Sequence, residues 1–257
     1  MALFKSSNPT MKDSVFAKAT QITSSNSSVM TINGSIMKTL MRLGMEVLAA
    51  SVTWKMVYTA SFTGSVMPWM IGGLFGAFVM SLVIIFKPTT APWAAPIYAA
   101  LEGLFLGGIS AFFEIMFAES FPGIVITAVG ITLLTMFVML TLYRSGVIKV
   151  TNRLRSVIII ATVSIAVFYL ARLVLSLFGV TLPFGIMDSS WLSIGISVVI
   201  VIIAALNLLL DFDFIERGAE MGAPKYMEWY GAFGLMVTLV WLYLEVLKLL
   251  AKFANRN

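Results

Sequence analysis

The sequence predicts an all-α membrane protein: a bundle of seven transmembrane helices with its amino terminus in the cytoplasm. Three observations carry this reading: the composition, the blocks into which the apolar residues fall, and the side on which the basic residues lie. Of 257 residues, 60% are apolar and 11% charged, whereas a soluble domain of this size carries about a quarter charged residues. A crossing helix needs about 20 mostly apolar residues, so the apolar content suffices for about seven crossings.

The apolar blocks run at 40–62, 66–86, 92–117, 123–143, 156–180, 190–210 and 227–251, separated by short joints of Gly, Pro, Ser or charge. The stretch 194–210 is nearly continuous, interrupted only by Ser197 and Asn207, which excludes the ten-residue alternation of a membrane β-barrel. Residues 1–38 read as a flexible polar cytoplasmic leader, with the run Ser24-Ser25-Asn26-Ser27-Ser28 and no apolar stretch fit for a signal peptide. Residues 39–257 then form one transmembrane domain. Gly72 and Gly76, and likewise Gly103 and Gly107, have the spacing that lets helices approach closely in lipid. The 17 methionines are read as adaptable packing rather than a copper path.

Orientation follows from the loops, because Lys and Arg in short loops stay cytoplasmic. Lys5, Lys12, Lys18, Lys38 and Arg42 precede or begin the first helix; Lys87, then Arg144, Lys149, Arg153 and Arg155, then Arg217 and Lys225 mark the even joints; the odd joints carry none. Lys248, Lys252 and Arg256 dissent, since seven crossings place them outside. Either the seventh helix crosses despite this tail, or one block does not span. The seven-span reading is adopted, and the surplus of 17 basic over 12 acidic residues is assigned to topology rather than to nucleic acid.

Cysteine and histidine are both absent, which removes disulfides, thiolate and imidazole catalysis and the usual zinc sites. No metalloprotease or serine-hydrolase motif occurs either, so no enzyme is expected. Proton or cation chemistry must therefore rest on carboxylates. The ionisable residues within the blocks are Glu46, Lys55, Glu102, Glu114, Arg172, Asp211 and Glu245, and such residues are functional candidates by default. Five of the seven are acids, a surplus that points to cation or proton handling. Lys55 and Glu114 lie near the outer surface, within snorkelling reach. Glu46 either pairs with Arg42 one helical turn before it or lines a pathway. Glu102 has no local basic partner and is a pathway candidate. Asp211 opens the string Asp211-Phe-Asp213-Phe-Ile-Glu216, either as the polar end of a helix or as a pH-sensitive carboxylate able, with Asp213, to bind calcium through hard oxygen ligands. Glu245 has Lys248 three residues on, expected to turn away toward the interface.

Several strings together resemble the Bax inhibitor/YccA-like family, also called transmembrane Bax-inhibitor-motif proteins, in its bacterial branch. They are Met30-Thr-Ile-Asn-Gly-Ser-Ile-Met-Lys38-Thr, Leu101-Glu-Gly-Leu-Phe-Leu-Gly107, Asp211-Phe-Asp-Phe-Ile215, Lys225-Tyr-Met-Glu-Trp-Tyr-Gly-Ala-Phe-Gly-Leu235 and Trp241-Leu-Tyr-Leu-Glu245. The similarity spans about residues 30 to 250. It implies a seven-helix bundle with a central last helix, and a pH-sensitive calcium leak controlled by two intramembrane aspartates on helices six and seven. Asp211 matches the first, and Glu245 replaces the second with a longer acid. The implied location is a bacterial cytoplasmic (inner) membrane. The partners are the bilayer and calcium or protons, with calcium as a transported or transiently bound ion rather than a fixed cofactor. The family also implies an alternative, a non-enzymatic regulator that binds other membrane proteins such as a membrane protease or a stress or cell-death partner.

Depth arithmetic separates the two acids. Asp211 lies at the cytoplasmic end of helix six, while Glu245 lies about 27 Å along helix seven and Arg172 about 24 Å along helix five. An Arg172–Glu245 ion pair therefore competes with direct Asp211–Glu245 contact, and Asp211 then takes Arg42, Lys87 or Asp213 as its neighbour.

Overall fold

The computed structural model describes residues 29–59, 66–179 and 188–256. Most of the expected leader, with Lys5, Lys12 and Lys18, lies outside the described residues. The described chain is helical: α1 (Ile32–Thr59), α2 (Met67–Phe86), a 3-10 turn (Pro88–Thr90), α3 (Ala91–Met116), α4 (Ile124–Arg144), α5 (Asn152–Leu177), α6 (Trp191–Glu220) and α7 (Met227–Ala254). Six of these seven α-helices, α2 to α7, are long and apolar enough to cross a membrane.

Two helices depart from the apolar blocks, each for a readable reason. The first begins at Ile32, eight residues before the block does, because its buried face is polar: Ser35, Thr39, Arg42, Glu46 and Thr53 fall on one stripe. Leu40, Met41, Met45, Val47, Leu48 and Val52 point outward and are exposed. This inverts the amphipathic pattern of a water-soluble helix, and it takes Arg42 out of the group of interfacial cations: the side chain is fully buried, about 15 Å into the helix. Helix α6 continues ten residues past Leu210, because Phe212, Phe214 and Ile215 keep burying apolar surface beyond the aspartates. Asp211 is therefore interior to the helix, not its terminus.

The chain divides into two compact units. The first holds α1, α2, nearly all of α3, α6 from Asp213 and α7 as far as Val237. Here α3 meets α1 through its small residues: a β-carbon at Gly103 would press on the Glu46 carbonyl, and one at Gly107 on the Ala50 carbonyl and the Thr53 hydroxyl. Against α2 the spacing expectation is only half right. Gly76 does face Leu101 of α3, but Gly72 faces open space and the tight contact belongs to Gly73, against the Leu101 carbonyl. The entry to α1 is fastened by Glu228, whose Oε1 accepts hydrogen bonds from the Thr31 amide at 3.0 Å and hydroxyl at 2.9 Å, while Met30 N–H donates to the Ala223 carbonyl at 2.7 Å.

The second unit holds α4, α5, α6 up to Phe212 and α7 from Thr238. Helix α5 buries only Arg155 and Ile158 and exposes Val157, Ile160, Val163, Val167, Leu170 and Leu173, a surface suited to hydrocarbon rather than water. Thr162 accepts a hydrogen bond from Asn207 of α6 at 2.8 Å.

Close backbone approach gives a direct test. Gly107→Ala, which drives a methyl group into the α1 backbone, should destabilise the protein by about 1–3 kcal/mol, while Gly72→Ala should leave it unchanged. Thermal melting in detergent compares the two, and equal melting temperatures would contradict the packing described.

Candidate functional site

The α6–α7 pair of the second unit carries a buried polar ladder. Thr238, Glu245 and Lys252 recur every seven residues on α7 and so share one face; all three are buried. On α6 the buried stripe runs Ser193, Ser197, Ala204 and Asp211.

Asp211, 1% exposed, accepts a hydrogen bond from the Thr238 hydroxyl, and its Oδ2 has no partner. The partner is thus a hydroxyl on α7 instead of the expected Arg42, Lys87 or Asp213. The contact also corrects the depth argument. Asp211 stands level with Thr238, and Glu245 lies only seven residues further along α7, about 10 Å rather than 27 Å. The continuation of α6 to Glu220 is the physical reason.

Glu245 sits in a complete set of donors. Its Oε1 accepts from Lys248 at 2.6 Å, from Tyr169 at 2.9 Å and from the Trp241 indole at 3.1 Å, and Oε2 lies 3.0 Å from the Tyr169 hydroxyl. Lys248 does not turn away as expected: it makes the ion pair, donates to the Tyr169 oxygen at 3.1 Å and lies over that ring. Arg172, one turn beyond Tyr169 on α5, is close enough for its charge to act on Tyr169 and Lys252.

Lys252, counted from the sequence only as a tail cation, belongs to the buried ladder. It is 4% exposed, and its ammonium donates to the Ser193 carbonyl at 3.2 Å, the Ser193 hydroxyl at 2.6 Å and the Ser197 hydroxyl at 2.8 Å. Three donors meet three acceptors. The seven-residue spacing from Glu245 and the Ser193–Ser197 pair were the available signals. Arg256 stacks on the Trp191 ring at 3.7 Å.

The first unit holds a second charged cluster. The Arg42 guanidinium lies 5.3 Å from the Tyr98 ring and 5.5 Å from the Phe233 ring, and none of its nitrogens has a hydrogen-bond partner. Glu102 and Glu46, both buried, act on it electrostatically, Glu102 the more strongly. Tyr98 donates to Glu102 Oε1 at 2.5 Å, and Oε2 of each glutamate is unpartnered. The expected Arg42–Glu46 pairing along α1 is therefore not an ion pair. The arginine is instead turned between two aromatic faces, whose quadrupoles attract its charge.

Asp213 pairs with Arg217 at 2.5 Å. Two residues apart on a helix, Asp211 and Asp213 diverge by about 200°, and among the described residues no three acids gather where they would hold a metal ion. Lys87 is exposed at the end of α2, its carbonyl accepting from the Thr90 hydroxyl at 2.7 Å.

Set beside known proteins, residues 8–255 match the model of a family described as Bax inhibitor 1 like. No curated protein and no solved structure matches the chain.

The Glu245 geometry sets an energetic expectation. Lys248→Met leaves a buried carboxylate without its cation and should cost about 1–3 kcal/mol, whereas adding Glu245→Leu to the same chain should recover most of the loss. A double-mutant cycle read by detergent melting measures the coupling, and strictly additive single effects would remove the pair.

Proposed function

The chain belongs to the Bax inhibitor 1-like family, and from that premise we propose that it is a pH-sensitive calcium or cation leak, non-enzymatic, in a bacterial cytoplasmic membrane. Family membership and six apolar helices fit an integral membrane protein. Seven crossings with a cytoplasmic amino terminus are proposed on two supports. Helix α1 is 28 residues long, about 42 Å, more than the 30 Å of hydrocarbon, and it turns apolar residues outward. The basic residues that argued against an outer carboxyl terminus are each engaged, Lys248 by Glu245, Lys252 by Ser193 and Ser197, and Arg256 by Trp191.

The observation that carries the gating proposal is Asp211, a buried acid joining α6 to α7 through one hydroxyl with its other oxygen free. Buried and with no cation beside it, Asp211 keeps its proton while α6 and α7 are packed, since burial disfavours the charged form. Ionisation needs water at the carboxylate and so favours the released state. The proton thus favours the packed state, and the leak falls as pH falls. Glu245, held by Lys248, Tyr169 and Trp241, is the positioning acid of the pair, and Glu102 with Glu46 lines the path.

Calcium-dye uptake in proteoliposomes between about pH 5 and 8 tests this. Asp211→Asn should give a low flux nearly independent of pH, and Glu102→Gln a reduced flux that keeps its pH response. Flux equal to that of empty vesicles at every pH would remove the leak and leave regulation of other membrane proteins as the function. Topology has its own check: a tag near Lys149 should report cytoplasm and one at the carboxyl terminus the outside. A cytoplasmic carboxyl terminus would show that one helix does not cross.

A further inference from the structure

Arg42, Glu46 and Glu102 carry one net negative charge in an interior closed to solvent, and burial of an uncompensated charge is heavily penalised. The geometry shows where compensation is lacking: no ion pair joins the three, every Arg42 nitrogen is unpartnered, and each glutamate keeps a free buried Oε2. Among the described residues, the neighbouring elements supply no further charge at this point. Helix α2, packed on α3 through Gly73 and Gly76, has no ionisable residue. From α7 come Phe233 and the neutral phenol Tyr230, and the nearby segment of α6 contributes Phe214 against Tyr230, its Asp213 being taken by Arg217.

We propose that the Glu46–Glu102 pair is a proton-binding site holding one proton at neutral pH, carried by Glu46, while Glu102 stays ionised as the counter-ion of Arg42. The assignment of the bearer follows from hydrogen bonding. Tyr98 donates to Glu102, which favours the ionised form there, and Glu102 is the stronger electrostatic partner of Arg42. A proton fits better than a metal ion, because among the described residues no third acid joins the pair and the guanidinium stands beside it. The site involves neither Asp211 nor Glu245 and holds whether or not the protein conducts.

Infrared difference spectroscopy of the purified full-length protein in lipid nanodiscs at neutral pH reads the proton through the carboxylic-acid carbonyl stretch. Glu46→Gln should remove one such band per chain. Glu102→Gln should remove the same band, because Glu46 must then ionise to balance Arg42. Arg42→Gln should add a second band; should that variant not fold, the two isosteric glutamine variants still decide the matter. No band lost in Glu46→Gln would overturn the proposal, as would a band that appears only when choline replaces sodium and potassium, which would mark a metal-cation site. Tyr98→Phe identifies the bearer: an unmoved band keeps the proton on Glu46, and a displaced one transfers it to Glu102 and overturns the assignment.

Discussion

Hydrocarbon outside the protein reverses the usual economy of side chains, and most of the structure follows from that constraint. With no solvent to satisfy a polar group on the outer face, each ionisable side chain has to find its partners within the fold. Helix α1 buries Ser35, Thr39, Arg42 and Glu46 and exposes Leu40, Met41, Val47 and Leu48. Helix α5 turns Thr162 and Tyr169 toward α6 and α7. Glycine is what lets polar stripes approach closely enough to interact: Gly103 and Gly107 bring α3 against the α1 backbone, which is the turn of α1 that carries Glu46.

Buried charge is handled in three different ways, and the differences separate structure from candidate function. Lys252 is solvated by three neutral oxygens, an arrangement that replaces water and fixes the end of α7 to the start of α6. Glu245 is neutralised by Lys248 and bound by two further donors. The cluster of Arg42, Glu46 and Glu102 is compensated only in part, by ring faces and one phenol. Incomplete satisfaction of buried polar groups is uncommon in native proteins and calls for an explanation. Asp211, with one hydroxyl and one free oxygen, belongs to this last class.

Composition and block spacing carry the fold, and six of the seven apolar blocks reappear as helices apolar enough to span. Hydropathy and helicity part company at two places. The apolar run ends at Leu210, yet the helix goes on to Glu220, where Phe212, Phe214 and Ile215 still bury their side chains. That difference moved Asp211 inward and brought its depth within about 10 Å of Glu245. Helix α1 failed in the opposite sense: its helical start is polar, so an apolar count placed it too late.

What the sequence determined by itself is the helices and the inventory of chemistry: apolar blocks of crossing length, no thiol, no imidazole, and a surplus of acids within those blocks. These are local or additive properties that need no partner to be read. Pairing was decided by the tertiary structure alone, because a side chain's partner depends on which helix face lies opposite and at what depth. Nothing in the string 241–248 says that Tyr169, seventy-six residues earlier, completes the donors around Glu245. Nor does the four-residue interval between Arg42 and Glu46, the very spacing of a helical ion pair, reveal that Tyr98 and Phe233 draw the guanidinium away.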